Sequence, residues 1–149
     1  MVHTSSTQRV LIFSVIALLV INGISAIAGG YNLVFYPDGQ TLGMDTQMLS
    51  RTPFTDFLLP GIILLTVNGI SSLIVAALMA TNNKYYPVLL ICQGVASAVW
   101  ILIQIWLIAV VSWLQLFYGA IGVSFLVAGL FFYDKRNAIK QFARKPGSN

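Results

Sequence analysis

The sequence predicts an all-α membrane protein, a four-transmembrane-helix bundle running up-down-up-down with both termini cytoplasmic and a structured outer loop between helices 1 and 2. Three observations predict it. The chain is 58% hydrophobic, 8% charged and without a single Glu, whereas a soluble domain carries charge on roughly a quarter of its residues. The apolar residues fall into four long runs rather than into amphipathic stripes. The basic residues gather at one set of run ends. With 149 residues the chain reads as a single domain.

The runs cover residues 10–30, 57–80, 88–111 and 114–133, each 20 to 24 residues long. At about 1.5 Å per residue each spans a hydrocarbon core about 30 Å thick. None holds a formal charge once Asp56 and Asp134 are counted as flanks. The first run has features of a signal peptide, with Arg9 ahead of it and "AIA" before Gly29. Its apolar stretch is long for that role, so it is read as a span.

Orientation follows from Lys and Arg near the span ends. Arg9, Lys84, Lys135, Arg136, Lys140, Arg144 and Lys145 fall on one side, and only Arg51 falls on the other. Seven against one places both termini inside, in a plasma membrane, and the 31–56 loop outside. That loop holds three of the four carboxylates, Asp38, Asp45 and Asp56. The tail, 134–149, is basic and predicted to continue helically, with Ile139 and Phe142 toward lipid and its cations toward anionic headgroups. No basic stripe interleaved with aromatics offers a nucleic acid a place to lie.

Two readings of the acidic loop stand side by side. In one the aspartates serve turns and helix starts. "YPDGQ" is a tight turn, with Pro37 fixing φ and Gly39 accepting positive φ. Asp45 caps a helical turn in "MDTQMLS". Thr52 caps span two with Pro53 at its first position, which places Asp56 in the first turns, where the dipole favours an anion. In the other reading Asp38, Asp45 and Asp56 contact a cation or a partner. Pro60, a turn into span two, predicts a kink.

Inside the membrane, span three carries Gln93, Ser97, Trp100 and Gln104 at offsets of 0, 4, 7 and 11, one helical face. Such amides need partners in lipid, so the face is expected to point into the bundle or at a partner protein. Asn68, Ser71 and Ser72 of span two and Asn22 and Ser25 of span one are the other polar positions. They either bond between helices or, with Trp100, line a cavity for a neutral or zwitterionic small molecule. The candidate ligand residues are Asn68, Gln93, Trp100, Gln104 and Asp56. Small residues promise close packing: Ala120, Ser124 and Ala128 on span four, with Gly119, Gly122 and Gly129 beside them, and Ser72, Ala76 and Ala80 on span two.

Several chemistries lack their residues. No mid-membrane carboxylate, Lys or Arg is present for a proton relay or voltage sensor. His3 is the only histidine and Cys92 the only cysteine. Neither a Ser–His–Asp nor a Cys–His set can form, and an internal disulfide is excluded. Cys92 is expected to be a small buried hydrophobe. No catalytic, metal or cofactor residues are assigned. The expected function is that of a non-enzymatic assembly or accessory subunit, or a homo-oligomeric membrane component. Binding or transport of a neutral or lipid-like molecule is the alternative, and a surface enzyme built on the loop aspartates is the third.

The segments "AGG" at 28–30, "PDG" at 37–39, "LGM" at 42–44, "TPFTDFLLPG" at 52–61, the Trp100–Gln104 stretch and "WLQLFY" at 113–118 together resemble a group of bacterial four-span integral membrane proteins of uncharacterised function. The resemblance covers roughly residues 17 to 130 and implies a bacterial inner-membrane location. It also implies that the outer loop and the start of span two form a unit with the outer end of the span three–four hairpin. It implies no active site.

Overall fold

A computed structural model describes residues 6–50, 52–108 and 111–144. Four helices are long and apolar enough to cross a membrane. Helix α1 is Ser6–Phe35, α2 is Leu58–Ala80, α3 is Tyr86–Ile108 and α4 is Trp113–Arg144. Two 3₁₀ turns, Gln40–Leu42 and Thr46–Leu49, lie in the connection between α1 and α2. The end of the bundle bearing that connection is called the loop end, and the opposite one the terminal end. Position 51 and the side chains of Ile139, Lys140, Phe142 and Arg144 lie outside the described residues, as does the Lys145–Asn149 segment. The predicted lipid contacts of the tail therefore fall there too.

The bundle is two tight helix pairs laid against each other. In one pair α1 packs along α2; in the other α3 packs along α4. Glycine sets both approaches. A Cβ on Gly30 would stand 2.6 Å from the Leu65 nitrogen, and one on Gly94 would stand 2.5 Å from the Leu126 nitrogen. Gly122 and Gly129 face α3 in the same way. The predicted span-four ridge is only partly used, because Ala128 is buried whereas Ala120 and Ser124 are exposed on the outer surface. A step of four residues drifts around a helix, so a three-residue ridge need not stay at one interface. On span two, Ser72 and Ala76 are buried and Ala80 is exposed. Cys92 likewise faces outward, since its neighbours Gln93 and Gly94 take the two inward directions.

The terminal half is a packed apolar core of Val15, Leu19, Val75, Ala76, Met79, Tyr86, Leu90, Ile121, Phe125, Ala128 and Phe132. Two polar ties close it. Lys135 Nζ donates to Gln8 Oε1 at 2.7 Å, joining α4 to α1. Arg136 donates to the Asn82 and Asn83 carbonyls and to Asn82 Oδ1, at 3.0–3.2 Å. That clamp holds the turn between α2 and α3, where Asn82 has φ 51°, a left-handed conformation asparagine tolerates better than most residues.

At the loop end a second, smaller core of Leu33, Leu49 and Phe57 anchors the long connection. The Phe57 N–H donates to Pro37 O at 2.9 Å, strapping its end to its beginning. Each loop aspartate then takes a backbone N–H two residues ahead. Asp38 serves Gln40, Asp45 serves Gln47 and Asp56 serves Leu58, at 2.9–3.1 Å. Asp45 is the N-cap of the second 3₁₀ turn.

Span two starts later than the sequence predicts. Thr52 Oγ1 accepts from the Phe54 N–H in a local turn, and the helix begins at Leu58. Asp56 thus precedes the helix instead of sitting in its first turns. The strap to Pro37 and the burial of Phe57 hold the chain out of helix up to that point. Pro60, where the sequence predicts a kink, interrupts no helical hydrogen bond. Pro60 is the third residue of the helix, where an N–H has no intrahelical partner to lose. The distortion lies one turn further on, where Leu64–Ile70 winds as a π-helix.

Candidate functional site: a cavity in the loop-end half

Between the two helix pairs, in the loop-end half, lies a cavity of about 470 Å³. That volume falls within the roughly 300–1,000 Å³ of small-molecule sites. Its walls come from every helix: Asn22, Ser25 and Ala26 of α1, Leu64 and Asn68 of α2, Ser97, Trp100, Ile101 and Gln104 of α3, and Leu114, Gln115 and Tyr118 of α4, with Ser112 just ahead. Leu42, Met44 and Met48 of the long connection form its roof. None of these lining side chains is ionised at neutral pH.

The floor is a polar layer built around the π-helix. The Ser71 N–H reaches back five residues to Thr66 O and passes over Val67 O. That carbonyl is served instead by the Ser71 hydroxyl and by Gln93 Nε2, the latter at 3.3 Å. The Ser71 hydroxyl also lies 2.6 Å from Gln93 Oε1. Gln93 Nε2 donates further to Ser97 Oγ at 3.3 Å, and Ser97 donates to Asn68 Oδ1 at 3.0 Å. On the α1 side, Asn22 Nδ2 donates to Ser72 Oγ at 2.9 Å, and Ser72 donates to Asn68 O at 2.6 Å. π-Bulges recur where a helix must offer backbone groups to something other than itself. Here the recipient is a glutamine from the other helix pair.

Two buried side-chain nitrogens at this site have no hydrogen-bond partner, Asn68 Nδ2 and Trp100 Nε1. Asn68 is 3% exposed and Trp100 8%. An unpaired buried donor costs about 1–3 kcal/mol, so two on residues of one cavity wall need an explanation.

The structure divides the predicted site residues. Asn68, Trp100 and Gln104 line the cavity; Gln93 lies beneath it as the link in the floor. Asp56, Asp38 and Asp45 do not line it, and each is engaged in its own turn. Among the described residues no group of three or more His, Cys, Asp or Glu is placed to hold a metal ion.

Sequence reasoning overlooked Ser112 and Gln115. Gln115 Oε1 accepts from the Ser112 N–H at 2.9 Å while Ser112 Oγ accepts from the Gln115 N–H at 3.3 Å. This reciprocal capping box starts α4 and turns Gln115 into the cavity wall. Its signature, S-x-x-Q, is legible in "SWLQ" at 112–115. In comparison with known proteins, the chain matches no family model, no curated protein and no solved structure.

Proposed function

We propose that this is a non-enzymatic membrane protein that binds a neutral or lipid-like small molecule in the loop-end cavity. The observation that carries the reading is a chamber of about 470 Å³ walled by all four helices, two of whose lining residues, Asn68 and Trp100, carry unpaired buried donors. A charged guest would lose its hydration with no countercharge to meet it, which argues for an uncharged one. Met44 and Met48 give the roof flexible, polarisable side chains that adapt to an apolar shape. The polar layer and the packed terminal core end the chamber halfway through the bundle. A dead end of this kind supports binding over passage.

The polar residues that favoured an accessory subunit are spent within the bundle, since Asn22, Asn68, Gln93 and Ser97 are all buried. Orientation remains an inference from the positive-inside rule. It puts the loop end, and with it the cavity, in the outer leaflet of a bacterial plasma membrane, with Lys135 and Arg136 near cytoplasmic headgroups.

Native mass spectrometry after gentle extraction tests the proposal. The wild-type chain is expected to carry a non-protein mass that an Ala26→Phe variant, filling the cavity from α1, lacks while eluting at the same size. A wild type stripped of small molecules but bound to another protein subunit would overturn the reading in favour of the accessory role.

A further inference from the structure

We infer that the molecule held in this cavity presents an uncharged hydrogen-bond acceptor oxygen, of the carbonyl class, to Trp100 Nε1–H and Asn68 Nδ2–H. The inference rests on the reading of the cavity as a binding site and adds the chemistry of the bound group. It follows from the direction of the hydrogen bonds in the floor.

Val67 O is a backbone carbonyl and can only accept. The end of the Gln93 amide facing it at 3.3 Å is therefore the NH₂, because the reverse orientation sets two acceptors against each other. The other Nε2 proton goes to Ser97 Oγ. With that lone pair used, the Ser97 proton goes to Asn68 Oδ1 at 3.0 Å. Reversing Asn68 would strand both that proton and the amide oxygen. The carbonyl thus dictates the sense of the relay, and its last member is left with a free N–H₂ edge. Indole nitrogen is a donor without exception. Both orphans are donors, and both are closed to solvent in the free chain.

The two donors belong to residues that both line the cavity. Trp100 stands three residues above Ser97 on α3, about 4.5 Å along the axis, and Ser97 is bonded to Asn68. Both nitrogens are closed over in the free chain, so a guest oxygen meets them once these side chains turn toward the chamber. The apolar remainder of such a molecule would lie along Ile101, Leu64 and the methionines of the roof. An ester, ketone, amide or quinone carbonyl meets this description, whereas a plain hydrocarbon or an ammonium group does not.

The test uses the full chain in a carbonyl-free detergent and two diazirine-bearing probes, a long-chain alkyl ketone and the matched alkane with CH₂ in place of C=O. Intact mass and peptide mapping read the photolabelling. The ketone is expected to label the cavity helices about tenfold more efficiently, as one relieved donor pair predicts. Trp100→Phe, which keeps a ring and deletes the N–H, is expected to lower the ketone-to-alkane ratio severalfold while alkane labelling persists as the control for folding. Equal labelling of the wild type by both probes would overturn the acceptor inference and leave an apolar binding cavity standing. So would an unchanged ratio in Trp100→Phe. Failure of both probes to label the cavity would overturn the binding reading itself.

Discussion

Replacing Gly94 by Ala is expected to destabilise the bundle by roughly 3 kcal/mol, the upper part of the usual range for overpacking. The added Cβ would meet the Leu126 nitrogen at 2.5 Å, the Gly122 oxygen at 2.8 Å and the Leu126 Cα at 2.8 Å. All three are backbone atoms, and none can rotate aside. Relief requires α3 and α4 to part along their contact. Thermal unfolding in detergent micelles measures the loss. Gly119→Ala is the matched control, because its added Cβ meets only Ile101 Cγ2 at 3.6 Å, an ordinary contact. If the two variants melted together, the close approach of these helices would have no role in stability.

Gln93→Leu is expected to cost about 2 kcal/mol, a figure set by leaving a buried polar group unserved. The variant is similar in bulk and suits the apolar surroundings, so packing changes little. What it removes is the donor to Val67 O and to Ser97, together with the acceptor for Ser71. In a membrane no water takes over these roles. The α2 π-helix is then expected to relax, and hydrogen–deuterium exchange at residues 64–72 reads that change directly. Gln93→Glu, which keeps an acceptor but no amide donor, should fare no better at neutral pH. Unaltered exchange in Gln93→Leu would mean that the π-winding arises within α2 and owes nothing to the other helix pair.

Both positions bear on how much could be read in advance. The four spans were legible because each is an unbroken apolar run, and the turn chemistry of Pro37–Gly39 and Asp45 because those residues act on backbone atoms close by in sequence. The inward face of α3 was legible too, since Gln93, Ser97 and Trp100 repeat at helical spacing and amides avoid lipid. The start of span two was not, because a strap between Pro37 and Phe57, twenty residues apart, decides it. Nor was the π-helix, which depends on a carbonyl of α2 meeting a glutamine of α3. Cys92 was misread for a related reason: its apolar surroundings in sequence say nothing about which side of a buried helix it occupies. The cavity lay furthest from view. It is space left between two helix pairs, each well packed on its own account, and in the sequence only the polar positions Asn22, Ser25, Asn68, Ser97 and Gln104, with Trp100, marked its walls.

The same contrast explains the acidic loop. Asp38, Asp45 and Asp56 cluster in sequence because the connection contains three local starts, each requiring an acceptor for an N–H two residues ahead. The charge concentrated there follows from folding a long connection through several tight local starts. Leu42, Met44 and Met48, rather than the aspartates, are the loop residues that reach the cavity.

The most direct test of this account is an experimental structure of the protein kept in lipid from its own membrane, viewed at the loop-end cavity. The account predicts density for a non-protein molecule between Trp100 and Asn68, with an oxygen within hydrogen-bonding distance of both nitrogens and an apolar body beneath Met44 and Met48. A chamber collapsed by its own side chains, or filled only by ordered water bonded to those two nitrogens, would contradict it.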